Sequence, residues 1–428
     1  MPLFDNRHFL LLQGPHGPFF RQLAQMLGRA GAKVWRVGFN GGDAAFWHDP
    51  ETFIPWQGTP EAWLEAVTDL FLEKQITDIV LYGDTRAIHA QAIIAARAAG
   101  IRVHVFEEGY LRPYWITYER GGSNGHSRLM EMSVEQMRAA LDQSDIDFPD
   151  APPRWGDMRH HVFYGALYHF RVMRGASRWP NFRSHRGVTV MEEFRFYLRR
   201  MLRMPLHMLQ RWLATSRVKY GGFPYHLVLM QLEHDSSFVM HSPFASQTDF
   251  LDLVMKDFAA GAPSHHHLVL KAHPLEDGRA PIEAAIRNGV ARYGLKGRVH
   301  FVRGGKLAGL LAQARSAVTV NSTAAQQVLW RGLPIKAFGA AVYDKPEFVS
   351  QQSLPDFFTA PARPDTRAYR DYRHYLLETS QVPGGFYSAK GRRTLLRQVV
   401  DMMLSTEDPY DALTSGTAAP RQQLRVIK

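Results

Sequence analysis

Short apolar runs separated by helix-length segments recur twice along the chain, first over residues 9–108 and again over residues 226–323. In the first series Phe9-Leu10-Leu11-Leu12-Gln13, Val34 to Phe39, Asp78-Ile79-Val80-Leu81-Tyr82 and Val103-His104-Val105-Phe106-Glu107-Glu108 read as strands. Between them lie a helix from Phe19 to Ala30, closed by Gly31, and an Ala-rich helix from Thr85 to Ala99, stopped by Gly100. In the second series His226 to Leu232, the run ending in Lys271-Ala272-His273-Pro274, Val299 to Val302 and Ala317 to Val320 read as strands, with a helix from Gln247. This β-α-β spacing predicts parallel sheets covered by helices. No internal sequence repeat is visible, but two similar open sheets in tandem fit the pattern.

The stretch between the series divides further. Residues 110–153 hold an irregular Gly121-Gly122-Ser123-Asn124-Gly125 run and a helix capped by Ser133. Residues 154–220 look largely helical, and Gly221-Gly222-Phe223-Pro224 resembles a hinge. The expected organisation is an N-terminal Rossmann-like domain over 1–153, a basic helical segment over 154–220 and a C-terminal Rossmann-like domain over 221–365. Terminal helices over 366–405 and a flexible polar tail over 406–428 follow.

At 428 residues, 45% hydrophobic and 21% charged, the chain has the bulk for two globular domains. No apolar run approaches the roughly 20 residues that span a bilayer. The N-terminus lacks the basic region and apolar stretch of a secretory signal. Without cysteine there is no disulfide and no thiolate metal site, which fits a reducing cytoplasm. The net charge of +11 is local: Arg154 to Lys219 carries 14 basic residues against Asp157, Glu192 and Glu193, leaving 37 of each sign elsewhere.

Three strand ends carry the candidate chemistry, because ligands of open α/β sheets collect where the strands end. Glu107 and Glu108 close one strand before Gly109. They are either a solvated strand end or a functional carboxylate pair acting as acid/base or nucleophile, with Glu108 preferred as the reacting group. His273, held out of the sheet by Pro274, suits a phosphate or base carbonyl, with Gln231 and Lys271 nearby candidates. Asn321-Ser322-Thr323 precedes a helix, so Ser322 or Thr323 is either its cap or, with Asn321, part of a phosphate site. Gly14, His16 and Gly17 after the first strand form either a plain strand-to-helix turn or an approach to an acceptor. Asp84, Gly109 and Arg112 are grouped with the acceptor side. There is no GxGxxG or Walker pattern and no acidic pair of the kind used in metal-dependent sugar transfer. The His265-His266-His267 run reads as a solvated loop rather than a metal site.

The basic segment has three readings: a solvated face, a nucleic-acid surface, or an element lying on an anionic membrane. No nucleic-acid module accompanies it. The interleaving of Arg195, Arg199, Arg200 and Arg203 with Trp212 and other apolar residues favours the membrane.

Taken together, Phe106-Glu107-Glu108-Gly109-Tyr110-Leu111-Arg112-Pro113, Gln231…Asp235…His241-Ser242-Pro243-Phe244 and Lys271-Ala272-His273-Pro274-Leu275 resemble the capsular polysaccharide synthesis and export proteins of Gram-negative bacteria. The resemblance covers roughly residues 9–345 outside the basic segment. Its length is that of the single-module members that begin the Kdo linker. The resemblance implies a GT-B-like fold, two Rossmann-like parallel-sheet domains facing a central cleft. It implies a CMP-β-Kdo donor and retaining transfer of the first β-Kdo onto a phosphatidylglycerol-type lipid; with no acidic pair of the metal-dependent kind, the expected transfer uses no metal or other cofactor. It further implies a cytoplasmic protein peripheral on the inner membrane, alongside other capsule synthesis and export proteins. The acidic, His-Pro and hydroxyl signals are also similar to those of bacterial GT-B sialyltransferases. That similarity implies a catalytic Glu108, a CMP contact at His273 and a phosphate contact at Ser322 and Thr323. Related two-module Kdo transferases carry Glu-Asp-Gly where this chain has Glu-Glu-Gly. A transferase for another CMP-ulosonic acid and a non-catalytic glycolipid scaffold are the alternatives.

Overall fold

The computed structural model describes residues 6–142, 158–184, 190–276 and 278–418. It divides into two compact units. Unit 1 comprises Met1–Arg128, Glu135–Met191 and His374–Lys428; unit 2 comprises Leu129–Val134 and Glu192–Arg373. The boundaries therefore fall inside the helix Val190–Tyr220 and inside the helix Thr366–Glu378, and the chain returns to unit 1 at its end.

Unit 1 is built on a seven-stranded sheet of β1 (His8–Leu11), β2 (Lys33–Gly38), β3 (Phe53–Pro55), β4 (Asp78–Tyr82), β5 (Arg102–Glu108), β6 (Trp115–Arg120) and β12 (Gln381–Pro383). Their order is β12-β6-β5-β4-β1-β2-β3. The five strands β3 to β5 run parallel, as the alternating pattern predicts. Two strands that the pattern does not announce extend the sheet antiparallel: β6 pairs with β5, and β12 pairs with β6. Apolar residues cover both faces, with Phe9, Leu11, Val80 and Phe106 packed on one side and Leu10, Ile79, Leu81 and Val105 on the other. At the amino-terminal end of the sheet Asp78 is buried. Hydrogen bonds from His104, Arg7 and Thr77 outweigh the effect of burial and hold its carboxyl well below the usual range.

Unit 2 carries β7 (Tyr225–Leu229), β8 (His267–Lys271), β9 (Val299–Val302), β10 (Ala314–Thr319) and β11 (Ile335–Ala337), all parallel, in the order β11-β10-β7-β8-β9. Counted within each unit, both sheets follow the order 3-2-1-4-5 of a doubly wound fold. The order reverses between β1 and β4 in unit 1 and between β7 and β10 in unit 2. Those two switch points are where a ligand crevice is expected.

Two expectations are corrected. The histidine run is a solvated loop only at the exposed His265: His266 is buried and meets His226 at 3.1 Å, while His226 bonds Ser316 at 2.8 Å and His267 bonds His300 at 2.8 Å. Phe223 stacks on His267 at 3.9 Å, so this end of the sheet is an aromatic layer. Nor is the stretch from Thr406 a flexible tail as far as Ala418. It forms the helix Pro409–Thr414, anchored by buried Tyr410 and Leu413, and Arg128 pairs with Asp411. Residues 419–428 lie outside the described part.

Candidate functional site

In unit 1 the carboxyl ends of β1, β4 and β5 bring several polar groups together. Tyr82 ends β4 and Glu108 ends β5, and the Tyr82 hydroxyl donates to Glu108 Oε1 at 3.5 Å. The hydroxyl of Tyr387 is hydrogen-bonded to both Glu108 and Tyr82. Burial, followed by the neighbouring phenol and the two carboxylates, pushes the Tyr82 phenol well above its ordinary range. Burial and Glu108 do the same to Tyr387. Both phenols are therefore protonated donors at neutral pH, and both face one carboxylate.

Glu107 is turned otherwise. Its Oε1 accepts the backbone N–H of Glu108 at 3.1 Å, and its other oxygen lies 3.0 Å from where a Cβ at Gly83 would stand. Gly83, at φ +70, keeps that space open. Gly109 is required by a closer approach: a Cβ there would sit 2.1 Å from the Trp115 carbonyl oxygen. The antiparallel β6 thus fixes the turn that follows Glu108. Gln381 on β12 donates to Thr117 at 3.0 Å and accepts from the Leu111 N–H at 3.3 Å, bracing the same turn. Below it, buried Glu119 accepts from Tyr110 at 2.6 Å, from Tyr410 at 3.0 Å and from Ser127; burial raises its carboxyl to about 7.

The other acceptor-side candidates separate. Asp84 is buried and accepts the Ser123 N–H at 2.8 Å and faces His126 Nδ1 at 3.1 Å, so it secures the Gly-rich loop. Arg112 is exposed and donates to the Gly109 carbonyl at 3.2 Å. Gly14 has the Phe20 ring 2.5 Å from its Cβ position, Gly17 adopts φ +105 against Tyr164, and His16 stacks on Tyr168 at 4.4 Å.

Sequence reasoning missed the polar chain at this switch point. Arg86 donates to Gln13 at 2.6 Å, Gln13 to the Tyr168 hydroxyl at 2.9 Å, and Tyr168 to Asp43 at 3.1 Å, where Arg36 also donates. Tyr168 lies on the helix Met158–Arg174, so part of the basic segment is built into unit 1. Tyr82, Tyr387 and Arg86 carried no local signal beyond the strand ends they follow.

In unit 2 the switch point is closed by a reciprocal pair. Gln231 Nε2 donates to Asn321 Oδ1 at 2.7 Å, and the Asn321 N–H donates to Gln231 Oε1 at 3.0 Å. Asn321 also donates to the Ser237 carbonyl at 2.8 Å. Both side chains are buried and engaged with protein. Ser322 Oγ accepts the Ala324 N–H at 3.2 Å in the turn before a helix of only five residues, Ala325–Leu329, whose N-cap is Ala324, so neither Ser322 nor Thr323 caps it. Ser322 and Thr323 are half-buried beside it.

On the adjacent β8, burial lowers the Lys271 ammonium below its ordinary value. His273 Nδ1 accepts the Leu275 N–H at 3.1 Å. A nitrogen that accepts cannot carry the proton, so Nε2 holds it and is a donor. The segment from the helix Val190–Tyr220 reaches this end of the sheet: Arg211 lies 3.1 Å from the Gly305 Cβ position, and Pro274 lies 3.4 Å from that of Gly304.

Comparison with known proteins gives the family. A profile described as "Capsule polysaccharide biosynthesis protein" matches residues 77–387, which includes Glu108, His273 and Ser322. The capsule polysaccharide export protein KpsS of Escherichia coli is 32% identical over 400 residues, spanning 90% of this chain and 98% of that protein. The capsule polysaccharide modification protein LipB of Neisseria meningitidis (strain Z2491) is 30% identical over 392 residues, spanning 90% and 93%. Among solved structures, Thermosulfurimonas dismutans KpsC, a β-Kdo 2,7 transferase, covers 93% of this chain and 100% of its own at 10% identity and a TM-score of 0.44. Anabaena HepE with UDP and glucose covers 93% and 99% at 12% identity and a TM-score of 0.35. Among the described residues no helix is long and apolar enough to cross a membrane. By the extent of the profile match and of the two relatives, the chain belongs to the capsule polysaccharide biosynthesis family.

Proposed function

We propose that this protein transfers β-Kdo from CMP-β-Kdo to a phosphatidylglycerol-type lipid, beginning the Kdo linker of a capsular polysaccharide. The observation that carries the reading is Glu108: a carboxylate at a strand end, met by two protonated phenols, in a chain of the capsule family. The Glu108 carboxylate attacks the anomeric carbon, and the bond to the CMP phosphate breaks with its electron pair on phosphate. The lipid hydroxyl then displaces Glu108, its proton passing to the released phosphate. Two displacements at one carbon retain its configuration. Tyr82 and Tyr387 orient the carboxylate and stabilise it when it leaves the sugar again.

The donor is assigned to unit 2. His273 Nε2–H donates to the phosphate, Ser322 and Thr323 supply hydroxyls, and buried Lys271 adds positive charge beneath the loop. Gln231 and Asn321 hold the loops in place. The departing CMP carries a single phosphate, and its charge, stabilised in this way, needs no cation. The acceptor places the work at the cytoplasmic face of the inner membrane, beside other capsule synthesis and export proteins.

Incubation of the protein with CMP-Kdo and a fluorescent phosphatidylglycerol tests the reading by product mass. Addition of one Kdo is the expected result. A product only with CMP-sialic acid would move the donor to another ulosonic acid. No product with either donor, with saturable glycolipid binding, would make the protein a scaffold.

A further inference from the structure

The helix Val190–Tyr220 has two opposite faces, and the outward one is the more apolar. Phe196, Arg211 and Val218, fifteen and seven residues apart, mark the side that meets the rest of unit 2. The Arg279 guanidinium sits 4.8 Å over the Phe196 ring, Arg211 packs beside Gly305, and Val218 is buried. Half a turn away, Leu198, Leu202, Leu209, Leu213 and Tyr220 recur at steps of four and seven. At about 100° per residue those steps keep one line along the helix. All five are exposed, Leu202 at 73% and Tyr220 at 76%, and Trp212 beside them is exposed at 64%.

The same unit shows how an ordinary amphipathic helix behaves. In Gln247–Gly261 the residues at the same kind of spacing, Phe250, Leu251, Val254 and Phe258, are all turned inward and fully buried. The stripe on the longer helix cannot be explained as core. A continuous exposed apolar line on a soluble protein marks a surface that something covers.

Charge identifies the cover. Arg195 and Arg199 flank the stripe at one end, and Arg217 and Lys219 flank it at the other; all four are exposed. An apolar line edged by cations matches the acyl boundary and the anionic headgroups of a bilayer leaflet. We infer that the Leu198–Tyr220 stripe lies in the surface of an anionic membrane, with Leu202, Leu209, Trp212 and Leu213 inserted and the flanking arginines at the headgroups. The inference rests on the proposed lipid acceptor only for its purpose; the surface itself requires no sugar chemistry. It also separates the arginines, since Arg211 packs on the protein beside Gly305.

Vesicle binding tests this without donor or turnover, so its failure and the failure of the transferase reading are separable. The wild-type chain is expected to co-sediment with vesicles containing phosphatidylglycerol and to leave neutral phosphatidylcholine vesicles largely unbound. Leu202→Asp with Leu209→Asp should lower partitioning about tenfold or more. Arg199→Gln and Arg217→Gln should each cost about fivefold and flatten the salt dependence. Because the chain has no cysteine, a fluorophore on Leu209→Cys reports the stripe alone; its emission should shift to the blue on vesicles. An unshifted label on bound protein, or unchanged partitioning of the double variant, would overturn the inference. So would a stable dimer, dispersed by the double variant and unresponsive to vesicles, since a second copy would then be the cover.

Discussion

At the switch point of the first sheet Gln13 meets Arg86, and at that of the second Gln231 meets Asn321. The two sheets share one strand order, and each places a glutamine after its first strand. In unit 2 the glutamine is answered by an amide, both ends are satisfied, and the pair simply holds two loops together. In unit 1 it is answered by a cation and continues through Tyr168 to the buried Asp43–Arg36 pair. The neighbouring strand ends diverge as well: two acids and two phenols in unit 1, a lysine and a donor-oriented histidine in unit 2. In the proposed reading, one topology carries the reactive acid in one copy and anion-binding groups in the other.

The largest effect that would sharpen this contrast is on Glu108. Glu108→Gln keeps the shape and the phenol contacts but removes the proposed nucleophile, so transfer should fall at least about 10³-fold. Glu107→Gln, in which the backbone bond from Glu108 can still be accepted, should fall far less. Equal losses would erase the distinction between the two acids. Next comes His273→Ala, for which a 10- to 100-fold loss in kcat/KM, mostly through KM, is expected. A pure kcat effect would place His273 in the chemistry instead.

Tyr387→Phe should reduce kcat about tenfold with the donor KM unchanged, because it removes one donor to Glu108. An altered donor KM would put Tyr387 on the nucleotide. Gln231→Leu should chiefly destabilise, by about 1–3 kcal/mol, since it strands Asn321 in a buried site. Denaturant midpoints of Gln231→Leu and Gln13→Leu measured together show whether both switch points are structural or only the second.

A further effect, on stability alone, concerns pH. Burial pushes His226 down to about 3, and His266 and His300 to about 4. In unit 1 it takes His89 to about 3 and His104 to about 4. The unfolded chain protonates these groups near pH 6.5, before the native protein does. Stability therefore falls as pH drops below 6.5, and His226 alone contributes about 2 kcal/mol of that loss at pH 5. A urea midpoint that stays flat from pH 7 to 5 would contradict the buried, neutral imidazoles.

Much of this arrangement is written in local pattern. Asp78-Tyr82, Val299-Val302 and the start of the helix at Gln247 lie where apolar periodicity and caps place them, because each is specified by its own few residues. The parallel sheets and the strand-end position of Glu108 were legible for the same reason. β6 and β12 were not, since β6 alternates through Thr117 and Glu119, whose partners are Gln381 and Tyr410 more than 260 residues away. The three residues of β12 make a strand only by pairing with β6. Tyr387 reaches Glu108 across a similar separation. The histidines look hydrophilic in sequence and are buried because β7, β8, β9 and β10 supply them with one another and with Ser316.

The division of labour between the two units is tested most directly by titrating CMP calorimetrically into Glu108→Gln and His273→Ala side by side. The account expects Glu108→Gln to bind CMP as the wild type does while transferring no Kdo, and His273→Ala to bind at least about tenfold more weakly. CMP binding lost in Glu108→Gln and kept in His273→Ala would contradict it.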